Sequence, residues 1–141
     1  MNGPIVVGTD GSDTAMKAVD EAIRLAGLLQ QPLHIVSVYK PIGGQGGLPP
    51  EFQQAVGPSS GVEPVLDDAM MRARVAGVEA TSHAQTGDPA SALLDVADEV
   101  EAGLIVVGNK GIGSAKRFVL GNVPSKVVHH SPCSTLVVHT G

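Results

Sequence analysis

Short apolar runs alternate with segments in which apolar residues recur at helical spacing, and this alternation continues along the chain. Buried strands are predicted by runs of β-branched and aliphatic residues at 5–7, 33–39, 104–107 and 135–138. Alternating small residues from Val78 to Ala84 predict one further, less apolar strand. Because helical patterns separate the strands, the order of elements predicts an α/β fold with a parallel sheet and helices on both faces.

The predicted helices carry start and stop signals. The first helix has an apolar face along 15–26, with Ser12 or Asp13 as its N-cap. The second has its apolar face along 62–73 and ends near Gly77. Asp88-Pro89 predicts the start of the third, because an acidic cap followed by proline suits the first helical position.

Two loops are the first candidates for a ligand site, because parallel sheets bind ligands beyond the carboxyl ends of their strands. They are 8–12, after the first strand, and 108–121, after the fourth. The second is rich in glycine, contains Lys110, Lys116 and Arg117, and ends at a predicted helix N-terminus. Exposed backbone N–H groups and a helix N-terminus favour an anion or nucleotide site there. The alternative is a long glycine-rich connection at the sheet edge.

Charge is divided unevenly along the 141 residues, whose net charge is −5. Residues 1–101 hold all 14 acids and five lysines and arginines, a net −9, whereas residues 102–141 hold four bases and no acid, a net +4. Overall acidity and an aromatic content of 2% argue against a nucleic-acid partner. The local positive charge favours one small anionic ligand.

Length and composition predict one domain over residues 1–141 in the cytoplasm. The sequence has a single cysteine, no secretory signal and no apolar run long enough to span a membrane. A loop at about 40–62 contains six glycines and four prolines among 23 residues, and we expect it to be flexible, either disordered or a flap over the site.

Known phosphate-binding motifs are missing, since neither a Walker-type loop nor a G-x-G-x-x-G after the first strand occurs. Instead, Gly108, Gly111 and Gly121 follow the pattern G-x2-G-x9-G. With the segments at 6–12, 88–90 and 129–133, this pattern resembles the universal stress protein family of the adenine nucleotide-binding, α-hydrolase-like group.

The resemblance implies an open five-stranded parallel sheet, Rossmann-like, with strand order 3-2-1-4-5. It implies an adenine nucleotide with Asp10 near the adenosine, Val38 at the base and the glycine loop around the ribose and phosphates. The nucleotide-binding residues that we expect are Gly8, Thr9, Asp10, Val38, Val107, Gly108, Lys110, Gly111, Gly113, Gly121, Asn122, Val123 and Ser125.

Two departures from the family pattern affect the ligand. Asn122 replaces the Ser or Thr that follows the last glycine, and Pro124 replaces a second hydroxyl and has no N–H. These two residues favour a ligand with few phosphates. Both cyclic AMP and ATP, the latter with Mg²⁺, are therefore candidate ligands. A slow ATPase or autophosphorylating protein is one alternative function, and a nucleotide-free interaction protein is another.

The other reactive side chains favour structural roles. Adjacent His129 and His130 point in different directions on a helix, so we expect a helix-end role and no metal site. Cys133 is expected to pack at a strand start, and no catalytic base stands out. The apolar last strand, Thr135 to His139, lacks the charges that protect a sheet edge, and in the family it pairs two subunits. We therefore expect a homodimer.

Overall fold

The computed structural model describes residues 2–39, 61–109 and 122–140, so the predicted loop at 40–62 lies outside it except for Gly61 and Val62. The strands of the described residues are β1 (Ile5–Gly8), β2 (Leu33–Tyr39), β3 (Ala80–Thr86), β4 (Leu104–Gly108) and β5 (Ser134–Val138). The helices are α1 (Asp13–Leu29), α2 (Glu63–Val75), α3 (Pro89–Glu99) and α4 (Asn122–His130). None of these helices is both long and apolar enough to cross a membrane.

The five strands form one parallel sheet in the order β3-β2-β1-β4-β5, which confirms the predicted topology. Strand β1 lies at the centre, with Ile5 opposite Leu33 of β2 on one side and Leu104 of β4 on the other. The chain runs outward from β1 to β2 and β3, then returns to add β4 and β5 on the opposite side. The winding therefore reverses between β1 and β4.

Alternate residues of the central strands enter two separate cores. Val7, Ile35 and Val106 pack on one face with α1 and α2. Val6 and Ile105 pack on the other face with α3 and α4. Because both faces are covered, the central strands are apolar at successive positions, which is the continuous pattern seen in the sequence.

The helix signals have the predicted local structure. Ser12 is the N-cap of α1, with its hydroxyl accepting the Ala15 N–H at 3.1 Å. Asp88 caps α3 by accepting the Ser91 N–H at 3.0 Å. His129 and His130 lie in the last turn of α4. Cys133 is half-buried against the second core just before β5, which confirms its packing role.

Strand β3 differs from the prediction in its burial. Ala80 packs against the first core, but Ser82 and Ala84 are exposed, whereas His83 and Gln85 are half-buried. The strand lies at the edge of the sheet, so its coverage is incomplete and small residues need not face a core. His83 is half-buried because it meets a second histidine.

That second histidine is His34 of β2, whose Nδ1 lies 2.9 Å from Nε2 of His83. Burial is the main cause that lowers the pKa of both rings. Repulsion between the two rings when both are protonated lowers the pKa of His34 further, while Glu99 at the end of α3 opposes the lowering for both. Both rings are therefore neutral in the folded protein at neutral pH.

The histidine pair makes stability depend on pH. In the unfolded chain the imidazoles of His34 and His83 bind protons below about pH 6.5. In the folded protein their pKa values are lowered, so they bind protons less readily at the same pH. We expect the free energy of unfolding to fall as pH drops from about 7.5 to about 5.5, measured by urea denaturation. His83→Gln should reduce this fall and His139→Gln, at an exposed residue, should not. An equal fall in all three proteins would contradict the assignment.

Candidate functional site

A cleft of about 150 Å³ opens where the winding of the sheet reverses, between the carboxyl ends of β1 and β4. This is the position at which open α/β sheets bind ligands. Its lining among the described residues consists of Gly8, Thr9, Asp10, Ala15, Val36, Val38, Pro89, Leu93, Val107, Gly108 and Val123. Apolar side chains form most of this described wall, and among the described residues the carboxylate of Asp10 is its only charged group.

The turn from β1 to α1 is held by Thr9, which is buried. Its hydroxyl accepts the Gly11 N–H at 3.0 Å and donates to Met16 Sδ at 3.5 Å. Its carbonyl accepts the Ser37 hydroxyl at 2.7 Å. The Thr9 side chain is therefore engaged within the protein, and its contribution is to fix the turn that carries Asp10.

Asp10 is exposed at the mouth of the cleft. Its Oδ1 accepts the Ser12 N–H at 2.9 Å, so the turn fixes the direction of the carboxylate while a second oxygen is available to a ligand. Gly11 permits this turn with a φ of +84°, and a Cβ there would lie 2.7 Å from a Val65 methyl carbon. Glycine at position 11 is thus required by the geometry of the turn.

Gly8 allows close packing at the cleft floor. A Cβ at this position would lie 3.0 Å from both Cδ atoms of Leu93, a residue of α3. Without a side chain, the backbone of β1 approaches α3 and Leu93 becomes part of the wall. Gly8 therefore determines the shape of the cleft, independently of which ligand binds there.

Three helix N-terminal turns border the cleft, through Ala15 of α1, Pro89 of α3 and Val123 of α4. The first turn of a helix carries a partial positive charge, which favours an anion. The Ala15 N–H is already donated to Ser12 and Pro89 has no N–H, so neither of these two residues offers a donor of its own. In α4, Pro124 is buried and contributes no N–H, so the number of available donors there is reduced.

Lys126 joins α4 to the start of α3. Its Nζ donates to Asp88 Oδ2 at 2.9 Å and to the Ser91 hydroxyl at 3.0 Å. The hydrogen bond from Lys126, followed by that from the Ser91 backbone, lowers the pKa of Asp88. The pair is half exposed, so it adds less than about 1 kcal/mol of stability. Because its ammonium group is paired with Asp88, Lys126 is less available to an anionic ligand in the cleft.

The structure brings together seven of the residues expected at the site, namely Gly8, Thr9, Asp10, Val38, Val107, Gly108 and Val123. Asn122 is exposed and Ser125 half-buried in the first turn of α4, and neither lines the cleft. Lys110, Gly111, Gly113 and Gly121 lie outside the described residues.

Four lining residues were not predicted for the site: Ala15, Val36, Pro89 and Leu93. Strand parity carried a signal for Val36, because it lies two residues before Val38 and therefore on the same face of β2. The Asp88-Pro89 start signal and the apolar spacing of α3 marked Pro89 and Leu93 as structural only. Within the three described ranges, no three His, Cys, Asp or Glu side chains form a group that could hold a metal ion.

Comparison with known proteins identifies relatives over the length of the chain. The model of the universal stress protein family matches residues 1–139. The chain is 37% identical to universal stress protein Rv1636 of Mycobacterium tuberculosis, over 96% of this chain and 95% of that protein. It is 33% identical to universal stress protein YxiE of Bacillus subtilis, over 98% and 99%.

Two solved structures are similar and contain a nucleotide. A universal stress protein in complex with cAMP is 34% identical, with a TM-score of 0.78, over 99% of this chain and 98% of that one. The universal stress protein from Archaeoglobus fulgidus in complex with dAMP is 28% identical, with a TM-score of 0.71, over 96% of each chain.

Proposed function

Because the chain belongs to the universal stress protein family, we propose that it binds one adenine nucleotide in the cleft between β1 and β4. The observation that carries the proposal is what the described residues place around the cleft, namely an apolar wall, one carboxylate at its mouth and three helix N-terminal turns. A nucleotide has matching parts, which are a flat base, ribose hydroxyls and an anionic phosphate.

The apolar wall supports a position for the base. Val36 and Val38 of β2 and Leu93 of α3 line it, so an adenine ring there would replace their contact with water by aliphatic contacts. Asp10 supports a position for the ribose, because a carboxylate accepts hydrogen bonds from hydroxyl groups and its direction is already fixed by Ser12.

The phosphate would lie at the backbone of Gly108 and the first turn of α4, where Val123 lines the cleft. Pro124 removes one N–H from this turn, and Lys126 is paired with Asp88. These limits support a ligand with a single phosphate, so we propose cyclic AMP ahead of ATP. The similarity to a cAMP-bound structure supports the same choice.

Isothermal titration calorimetry with cyclic AMP, and with ATP in the presence of Mg²⁺, tests the proposal. We expect saturable binding of one cyclic AMP per chain and weaker binding of ATP. Tighter binding of ATP would reverse the order of the two ligands. No binding of either, together with no nucleotide released when the purified protein is denatured, would contradict the proposed function.

We further propose that the protein takes part in a stress response as a binding domain, either by buffering the nucleotide or by signalling that it is bound. The matched family supports a stress-response role at the family level. A cytoplasmic location and the single domain over residues 1–141 stay predictions from the sequence.

We also propose a homodimer through β5. This strand is an edge of the sheet, and its residues Thr135 to Val138 are half-buried and mostly apolar. The opposite edge, β3, presents mainly polar or small side chains. Within the described residues, β5 has a paired strand on one side only, and an apolar edge is the better template for a second copy.

Light scattering is expected to give twice the chain mass of 14.3 kDa for the wild-type protein. Thr135→Lys places a charge on β5 and should shift the protein toward the monomer. Thr81→Lys, at an exposed residue of the other edge strand, is the matched control and should stay dimeric. A monomeric wild-type mass at micromolar concentration would contradict the dimer.

A further inference from the structure

Thr140 and Asn109 form a buried polar contact beside the cleft that the proposed nucleotide contacts do not use. Thr140 follows β5 and is 2% exposed, and Asn109 follows β4 and is 7% exposed. Most residues of these two types lie at the surface, so a buried pair needs a structural or functional reason.

Four hydrogen bonds hold this contact. Asn109 Oδ1 accepts both the N–H of Thr140 at 2.9 Å and its hydroxyl at 2.8 Å. The Asn109 N–H donates to the Val138 carbonyl at 2.9 Å, and Lys17 Nζ of α1 donates to the Thr140 carbonyl at 3.2 Å. The contact therefore ties the residues after β4 and β5 to each other and to α1.

The position of the contact connects it with the cleft. Val107 and Gly108 line the cleft immediately before Asn109, and the register of β4 with β5 ends at Gly108 opposite Val138. Beyond that point, the hydrogen bonds of Asn109 continue the pairing of the two segments. The backbone of Gly108 at the cleft is therefore anchored from its carboxyl side by Thr140.

We propose that Asn109 and Thr140 are positioning residues of the nucleotide site, an inference that rests on the proposed function. They touch no part of the nucleotide and act by fixing the Gly108 backbone where the phosphate would bind. Thr140, the second residue after β5, thereby takes part in ligand affinity. The contact of Thr140 with Asn109 also links the cleft to β5, the strand proposed to join two subunits.

The test compares cyclic AMP affinity by calorimetry in the wild-type protein and three variants. Thr140→Val keeps the shape and removes the hydroxyl donor, and it should weaken binding about three- to tenfold, the effect of one hydrogen bond. Thr140→Ser keeps the hydroxyl and should restore most of the affinity. Ile5→Val removes a buried methylene at the amino end of the central strand β1, at the opposite end of the strand from the cleft, and should lower thermal stability without changing affinity.

The controls separate the possible failures. Wild-type affinity in Thr140→Val, or an equal loss in Ile5→Val, would overturn the positioning role while the proposed function stands. Equal losses in Thr140→Val and Thr140→Ser would overturn the role of the hydroxyl. No binding by the wild-type protein would overturn both proposals.

Discussion

Replacing Asp10 with alanine is expected to weaken the affinity for cyclic AMP at least about tenfold, because hydrogen bonds to a charged group are worth about 1.5–3 kcal/mol. Asp10 supplies the only carboxylate that the described part of the chain contributes to the lining of the cleft, and its orientation is fixed by the Ser12 N–H. Calorimetric titration measures the change. Thermal unfolding should change little, since Asp10 is exposed and Ser12 still caps α1.

Asp13→Ala is the matched control for this variant. It removes the same charge three residues away, in the exposed first turn of α1, from a side chain that does not line the cleft. We expect its affinity to stay within about twofold of the wild type, as for surface charges without direct contact. If Asp10→Ala and Asp13→Ala lost affinity equally, the loss would reflect net charge and the proposed ribose contact would be wrong.

The second large effect concerns stability, at Gly103 before β4. A Cβ at this residue would lie 2.6 Å from the Asn2 carbonyl oxygen and 2.8 Å from its carbonyl carbon. Both are backbone atoms next to the hydrogen bond from the Gly103 N–H to Pro4, so no side-chain rotation relieves the overlap. Gly103→Ala should lower the free energy of unfolding by about 1–3 kcal/mol, measured by urea denaturation.

Gly27→Ala is expected to have the opposite sign. Gly27 lies within α1, where the one described atom that a Cβ would meet is a Val78 methyl carbon at an ordinary 3.7 Å. Alanine is favoured over glycine inside a helix by about 0.5–1 kcal/mol, so this variant should be more stable than the wild type. Destabilisation by both variants, or by neither, would contradict the packing around the two glycines.

Local signals account for the parts of the fold that the sequence predicted well. The apolar run at 33–39 has the same bounds as β2, and Ser12 and Asp88 cap the helices they were expected to cap. These features depend on neighbouring residues, so spacing and residue type are sufficient. The strand order and the roles of Asp10 and Val38 came from the family resemblance, which carries long-range information that periodicity lacks.

Contacts between distant residues could not be predicted. His34 and His83 pair between the neighbouring strands β2 and β3, and the contact of Thr140 with Asn109 joins residues 31 positions apart. Each depends on strand register, which the sequence pattern leaves open. The excess of positive charge after residue 101 was also only partly informative, because one of its four bases, Lys126, neutralises Asp88.

Methyl NMR titration with cyclic AMP tests the central claim most directly, because it locates the ligand as well as detecting it. We expect saturable shifts of the methyl signals of Val38, Leu93 and Val107, which line the cleft. The exposed Leu28 and Val75, on the outer surfaces of α1 and α2, should be unaffected. Unchanged cleft signals at saturating cyclic AMP, or shifts confined to Leu28 and Val75, would contradict the binding of the nucleotide in the cleft between β1 and β4.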